Sequence, residues 1–187
     1  MESTVQFRNQ FVTGFPRTKM NTTPGDAMML RILIEATRAR RGIEVGTFRG
    51  FGAINMGIGF ERTKGHLYSL EIDPESARLT RANLRKAGLA KTVTVLTGDA
   101  VKLIARLEGK FDFVFLDAAK KDYLRYLEAV EPKLKRGAVV VADNVIVYAG
   151  EMQDFLNYIQ TSVAYDTVII RASEEKGDGM SVSYAIK

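Results

Sequence analysis

Two stretches of this chain place acids beside a base or an amide. Asp117 closes the run Phe111-Asp112-Phe113-Val114-Phe115-Leu116, and Lys120 follows three residues later. Asp143-Asn144 closes a second apolar run, Gly137 to Ala142. A carboxylate and an amine in one short loop can exchange a proton with a ligand, and a further carboxylate with an amide adds hard oxygen donors. Upstream, Glu44 precedes the glycine-rich turn Gly46-Thr47-Phe48-Arg49-Gly50-Phe51-Gly52, and Glu71 stands at the end of another apolar run. Taken alone, Asp117 could equally cap a helix, a role Asp favours, with Lys120 simply solvated. A cation in the first turn of a helix opposes the macrodipole, however, so Lys120 at that place asks for another reason.

Strands must carry these residues. The run ending at Asp117 is apolar on both faces apart from Asp112, as a parallel strand covered on both sides requires. Ile43 to Gly46, His66 to Ile72, Thr92 to Leu96 and Gly137 to Ala142 read as further strands. Helices alternate with them: one through Met28, Met29, Ile32, Leu33 and Ala36, one entered from the glycine-rich turn, one from Pro74 to Ala87, and one ending at Leu107. Another opens at Lys120, with Tyr123, Leu124, Leu127 and Val130 on its apolar side, and a last carries Phe155, Leu156 and Ile159. Thr23-Pro24-Gly25-Asp26 resembles a capping box, with proline at the first helical position. Thr167 to Arg171 and Met180 to Ile186 read as two closing strands.

Five strand–helix alternations and two final strands predict an α/β fold: a doubly wound, Rossmann-like, seven-stranded and mostly parallel sheet with an antiparallel terminal strand. Such sheets bind ligands beyond the carboxyl ends of their strands, where Glu71, Asp117 and Asp143 all fall. Residues 1–187 read as one domain. Within residues 1–19, Phe7, Phe11 and Phe15 recur every fourth position, as on one helix face that covers the site or meets a second copy.

The 187 residues include 46% hydrophobic and 26% charged, an ordinary globular balance. There is no cysteine, which excludes disulfides, thiolate metal sites and a cysteine nucleophile. The apolar runs are too short to cross a bilayer, and Met1 to Gly14 lacks the basic-then-apolar order of a secretory signal, so a cytoplasmic protein without a membrane partner is expected. A net charge of +5 permits a nucleic-acid partner without requiring one. The densest basic group, Arg38, Arg40 and Arg41, reads as a solvated helix end, and the lone His66 reads as structural.

An acid about 20 residues past a glycine-rich turn suits ribose hydroxyls, and Glu71 is that acid. A dinucleotide fingerprint would be Gly-x-Gly-x-x-Gly, whereas here three residues separate Gly46 from Gly50. Glu44 would repel a pyrophosphate and attract an α-amino group, which favours a cofactor with an amino-acid end, S-adenosylmethionine. Turn geometry alone is the competing account of Gly46 and Gly50, and an exposed strand-end carboxylate that of Glu71.

Glu-x-Gly-x-Phe-x-Gly, Leu-Glu-Ile-Asp-Pro, Thr-Gly-Asp-Ala, Phe-x-Phe-Leu-Asp-x-x-Lys and Ala-Asp-Asn occur in that order from Glu44 to Asn144. The set resembles the class I S-adenosylmethionine-dependent methyltransferases, and within them the cation-dependent O-methyltransferases of the catechol and caffeoyl-CoA type. The likeness runs from about Met20 to the C-terminus. It implies the class I methyltransferase fold, with Glu44, Gly46, Phe48 and Gly50 at the methionine end of the cofactor. It places Glu71 on the ribose, Ile72 on the adenine, Asp99 and Ala100 close by, and Met20 and Thr22 in the segment lying over the cofactor. Asp117 would serve both cofactor and metal. Asp117, Asp143 and Asn144 would hold a magnesium or similar divalent ion, whose preference is for oxygen ligands. Lys120 would be the catalytic base and, with Asn144 and Glu175, would touch the acceptor. Glu175 is placed by analogy with an acid before Asp-Gly in the animal catechol enzymes; a solvated loop glutamate is the alternative. Tyr123 and Tyr148 could line the acceptor pocket, with ordinary packing the simpler account.

Three departures from the family pattern concern the acceptor and cofactor. Ala118 and Ala119 stand where relatives carry larger or acidic residues, Gly52 replaces a small hydroxyl residue, and the region before Met20 is short. The first and third imply a wider acceptor pocket. The leading expectation is magnesium-dependent methylation of a small vicinal dihydroxy aromatic, by a homodimer as in relatives. A tRNA hydroxyuridine O-methyltransferase is the second, and a non-enzymatic cofactor-binding protein, which would not need Asp117, Lys120, Asp143 and Asn144, is the third.

Overall fold

The computed structural model describes residues 4–173, 175 and 177–186. In chain order its elements are α1 (Thr4–Thr13), α2 (Pro24–Ala36), β1 (Arg41–Val45), α3 (Phe51–Arg62), β2 (His66–Glu71), α4 (Pro74–Lys86) and β3 (Val93–Thr97). There follow α5 (Ala100–Arg106), β4 (Phe111–Leu116), α6 (Tyr123–Val130), β5 (Leu134–Ala142), α7 (Gln153–Thr161), β6 (Tyr165–Ser173) and β7 (Asp178–Ala185). The seven strands form one sheet in the order β3-β2-β1-β4-β5-β7-β6. Pairing is parallel from β3 to β5, and β7 runs antiparallel between β5 and β6. The expected doubly wound sheet with an antiparallel final strand is therefore the observed one.

Strand β4 shows why the sheet is buried on both sides. Phe113 and Phe115 enter the core shared with α2, α3 and α4, whereas Val114 and Leu116 enter the core shared with α6 and α7. Asp112, the polar interruption, accepts the backbone N–H groups of Arg40 and Arg41 and pairs with Lys135, so a register shift beside it is filled by hydrogen bonds. Among the described residues no helix is long and apolar enough to cross a membrane.

The capping reading at Thr23 holds: its hydroxyl accepts the Asp26 N–H at 3.2 Å and donates to Asp26 Oδ2 at 2.6 Å, with Pro24 opening the helix. Two local expectations are corrected. Lys120 does not open the α-helix; residues Lys120–Asp122 form a single 3-10 turn and α6 begins at Tyr123. Asp117 caps neither element, since Ala119 and Asp122 hold the two cap positions. Two alanines without a capping hydroxyl or carboxylate leave the chain to tighten into a 3-10 turn before the helix starts.

Helix α1 lies outside the sheet layers, against α3 and the end of α4. Phe11 and Phe15 continue its aromatic file to Phe51 at the start of α3, and Phe7 remains exposed. Arg8 donates to the carbonyl of Ala87 at 2.8 Å and pairs with Glu61. The helix itself does not cover the cavity; the residues after it, from Arg17, form the cavity wall.

Candidate active site

Parallel register gathers the strand ends. Val45 pairs with both Leu70 and Leu116, and Leu116 pairs with Ala142, so Gly46, Asp117 and Asp143 follow from neighbouring strands at one level. The crowding is tight enough to specify glycine: Gly46 has φ +89, and a side chain there would run into the Asp117 carbonyl. A cavity of about 980 Å³ opens beyond this edge, of a size that suits a cofactor with a small second ligand.

One half of the cavity sets the acids Glu44 and Glu71 beside the exposed apolar side chains Met20 and Ile72. Glu44 is buried, and accepts a hydrogen bond from the Ser69 hydroxyl. Burial pushes its carboxyl up to about 8, against hydrogen bonds from Ser69 and Thr47, with Asp117 and Glu71 adding a smaller push upward. A cation arriving beside it would restore the ionised form. Thr22 lies close by, and a side chain at Gly52 would come within 3.1 Å of both Glu44 Oε1 and Thr22 Oγ1. A side chain at position 52 would therefore crowd both groups.

Glu71 clamps the glycine-rich loop, its Oε2 accepting N–H groups from Thr47 at 3.1 Å and Phe48 at 2.8 Å, while Oε1 accepts from Asp73 at 3.0 Å. Phe48 sits at φ +50, and α4 fixes this loop from behind through Thr80 and Asn83. Ile72 and Met20 line the cavity with 72% and 71% of their surface exposed. Gly50, Asp99 and Ala100 do not line it. Gly50 is the left-handed cap of α3 packed on Thr80, and Asp99 caps α5 by accepting the Lys102 N–H.

The other half gathers Asp117, Lys120 and Asn144, whereas Asp143, beside Asn144 in the chain, is buried and outside the lining. Lys120 Nζ donates to Asp117 Oδ1 at 3.1 Å and to the Tyr123 hydroxyl at 2.8 Å, and that hydroxyl donates to the Asp143 carbonyl at 3.2 Å. Tyr123 is fully buried; burial first, then the Asp117 and Asp143 charges, push its hydroxyl well above the usual range, so it stays a phenol. Its place on the apolar side of α6 fits packing or a pocket wall, but not the hydroxyl's bond to the Asp143 carbonyl just beyond β5, which periodicity cannot reveal. Glu175 stands at the mouth, exposed, 3.5 Å from Arg17 Nη1.

No cluster of three His, Cys, Asp or Glu side chains suited to a metal occurs among the described residues. The donor set here is two carboxylates and one amide, and whether it fits a hard cation turns on how Asn144 is turned. Its Nδ2 donates to Asp178 Oδ2 at 3.1 Å, which leaves the carbonyl oxygen for the cavity side. In that orientation all three side chains offer oxygen, the donor type magnesium takes.

The family profile described as O-methyltransferase matches residues 3–170. This chain belongs to the O-methyltransferase family. Within that family it is 38% identical over 132 residues to a catechol O-methyltransferase of Mycobacterium tuberculosis, a stretch covering 70% of this chain and 59% of that protein. A caffeoyl-CoA O-methyltransferase of Stellaria longipes is 27% identical over 137 residues, 70% of this chain and 56% of that one. The match thus spans less than two thirds of the length of these relatives. Among solved structures, cofactor-bound Rv0187 from MTB superposes with a TM-score of 0.86 at 28% identity, covering 100% of this chain and 91% of that one. An O-methyltransferase from Bacillus cereus in complex with SAH shares the fold, with a TM-score of 0.84 at 23% identity over 99% of this chain and 91% of its own.

Proposed function

We propose that this protein is an S-adenosylmethionine-dependent O-methyltransferase that methylates one hydroxyl of a small vicinal dihydroxy aromatic and depends on a divalent ion of the magnesium type. The observation that carries the reading is the meeting of two half-sites in one cavity. Glu44, Glu71 and Ile72 suit an amino-acid-bearing nucleoside, and Lys120, Asp117 and Asn144 combine a base with oxygen donors. The relatives named catechol and caffeoyl-CoA O-methyltransferase support the acceptor class.

When bound, the cofactor supplies an electrophilic methyl group, and the divalent ion supplies positive charge that acidifies the acceptor hydroxyl. The chain's own residues do the rest. Glu44 would receive the cofactor's ammonium and Glu71 its ribose, while Ile72 and Met20 would flank the base. Asp117, Asp143 and Asn144 would hold the ion. Lys120 would take the proton of the attacking hydroxyl. Its nitrogen already spends two N–H directions on Asp117 and Tyr123, so one tetrahedral position remains for the acceptor. Most of the rate gain then comes from positioning and fixed charge. Glu175, at the mouth, would meet the acceptor's outer hydroxyl. Ala118 and Ala119 leave room on the acceptor side.

Transfer of label from S-adenosylmethionine to a catechol panel including caffeate, with magnesium or with EDTA, tests the reading. Magnesium-dependent label in the small molecules is the expected result. Absence of transfer to every catechol, with cofactor binding intact, would rule out that acceptor class and direct the same assay to bulk tRNA. Lys120→Ala is expected to lower turnover about 100-fold or more with cofactor affinity unchanged.

A further inference from the structure

Asp178 lines the cavity and is 4% exposed, yet no reactive role falls to it above. Its oxygens are taken up by the protein. Oδ1 accepts the backbone N–H groups of Ile146 and Val147, each at 3.0 Å, and of Gly179 at 2.8 Å. Oδ2 accepts the side-chain amide of Asn144 at 3.1 Å. With Oδ1 occupied by three backbone donors, Oδ2 is the oxygen left to meet Asn144, and it accepts from the NH₂ end of that amide.

The geometry points to Asp178 as the residue that sets the polarity of Asn144 and so makes the site a cation site. It acts as a positioning residue and not as a ligand. The inference rests on the divalent-ion reading above. Asn144 has φ +63, a left-handed backbone, and the same carboxylate pins the turn that follows through Ile146 and Val147. Both ends of the control are thereby fixed. The turn places the side chain, and Asp178 decides which of its two atoms enters the cavity. With the amide reversed, an NH₂ group would stand where an oxygen ligand is needed.

The decisive variant reverses that polarity at constant shape. Asp178→Asn keeps an oxygen for the three backbone donors and puts an NH₂ group opposite Asn144, which then presents its own carbonyl to position 178 and its NH₂ to the cavity. Mn²⁺ binding to the full chain, followed by water-proton relaxation without any turnover, is expected to weaken about 10- to 100-fold, the usual effect of losing an outer partner of a metal ligand. Combining it with Asn144→Asp exchanges the two residue types. A carboxylate at 144 offers oxygen to the cavity and accepts from the amide at 178, so Mn²⁺ affinity is expected to recover to within a few-fold of wild type. A purely structural role for Asp178 would give no such recovery. Unchanged Mn²⁺ affinity in the single variant overturns the inference, as does a folded double variant that fails to recover. If the single variant does not fold, the double variant alone decides between them. A wild-type chain that binds no Mn²⁺ overturns the divalent-ion reading itself, and this inference with it.

Discussion

Glu44 is the residue whose ionisation ties stability to pH. It sits at the end of β1 with 1% of its surface exposed, and burial lifts its carboxyl to about 8. In the unfolded chain it ionises near the ordinary glutamate value, so between roughly pH 4.5 and 8 the folded state holds a proton that the unfolded state has lost. The stability this provides is complete below pH 4.5 and is lost as pH rises to about 8, a change of at most about 5 kcal/mol. Thermal melts are expected to show that decline in the unliganded wild type and not in Glu44→Gln. Saturating S-adenosylmethionine should remove much of it, because an ammonium beside Glu44 favours the carboxylate. An identical pH profile in Glu44→Gln would mean that the decline comes from other groups. A second residue-scale prediction concerns Tyr123, whose ring packs edge-on against Phe155 while its hydroxyl holds Lys120. Tyr123→Phe keeps the packing and frees one direction of the amine. Turnover is expected to fall about tenfold with KM for the acceptor and cofactor affinity little changed; equal losses in both would assign the hydroxyl to binding instead.

At the scale of elements, the contrast between what was legible and what was not follows contact range. The unbroken apolar run of β4 and the alternation of strands with helices are local patterns, and they specify the doubly wound sheet and the level at which Asp117 and Asp143 emerge. Lys120 was expected in an α-helix because its neighbours downstream have helical periodicity, but periodicity does not say where a helix begins, and a 3-10 turn precedes it. Asp99, which its motif marks as a cofactor neighbour, also caps α5, a contact within its own turn. In the sequence, Asp178 stands out only as half of the Asp178-Gly179 pair that follows Glu175. Its partners Asn144, Ile146 and Val147 lie more than 30 residues away in sequence, and only the pairing of β5 with β7 brings them together. Helix α1 is a further long-range attachment. Arg8 serves the carbonyl of Ala87 beyond α4 and pairs with Glu61 at the end of α3. Arg8→Ala is expected to cost about 1–2 kcal/mol and to speed hydrogen exchange in α1 before the sheet is affected. Exchange that stays at the wild-type rate would show that the aromatic file from Phe11 to Phe51 holds the helix by itself.

Over the whole molecule, charge is divided between the two ends of the parallel strands. Arg38, Arg40, Arg62 and Lys64, with the acid Glu35 paired to Arg62, line a cleft just before β1 and β2 begin, at their amino ends. Among the described residues, the cavity at the carboxyl ends carries six carboxyl side chains, Glu44, Glu71, Asp73, Asp117, Glu175 and Asp178, against the three cations Arg17, Lys19 and Lys120. A net charge of +5 is therefore a poor guide to what enters the site. An acid-rich lining of this kind disfavours a polyanion and suits a cationic ligand, while the basic end lies a strand's length away, roughly 15 Å for a five-residue strand. An RNA held at the basic cleft would not thereby bring a base to Lys120. Arg40→Gln combined with Lys64→Gln is accordingly expected to leave kcat/KM for a catechol within about twofold, while reducing any salt-sensitive association with RNA. Bulk tRNA should likewise not compete with the catechol for methyl transfer. Competition by tRNA, abolished by that double variant, would mean that RNA reaches the cavity from the basic end, and would make the hydroxylated nucleobase the acceptor to pursue.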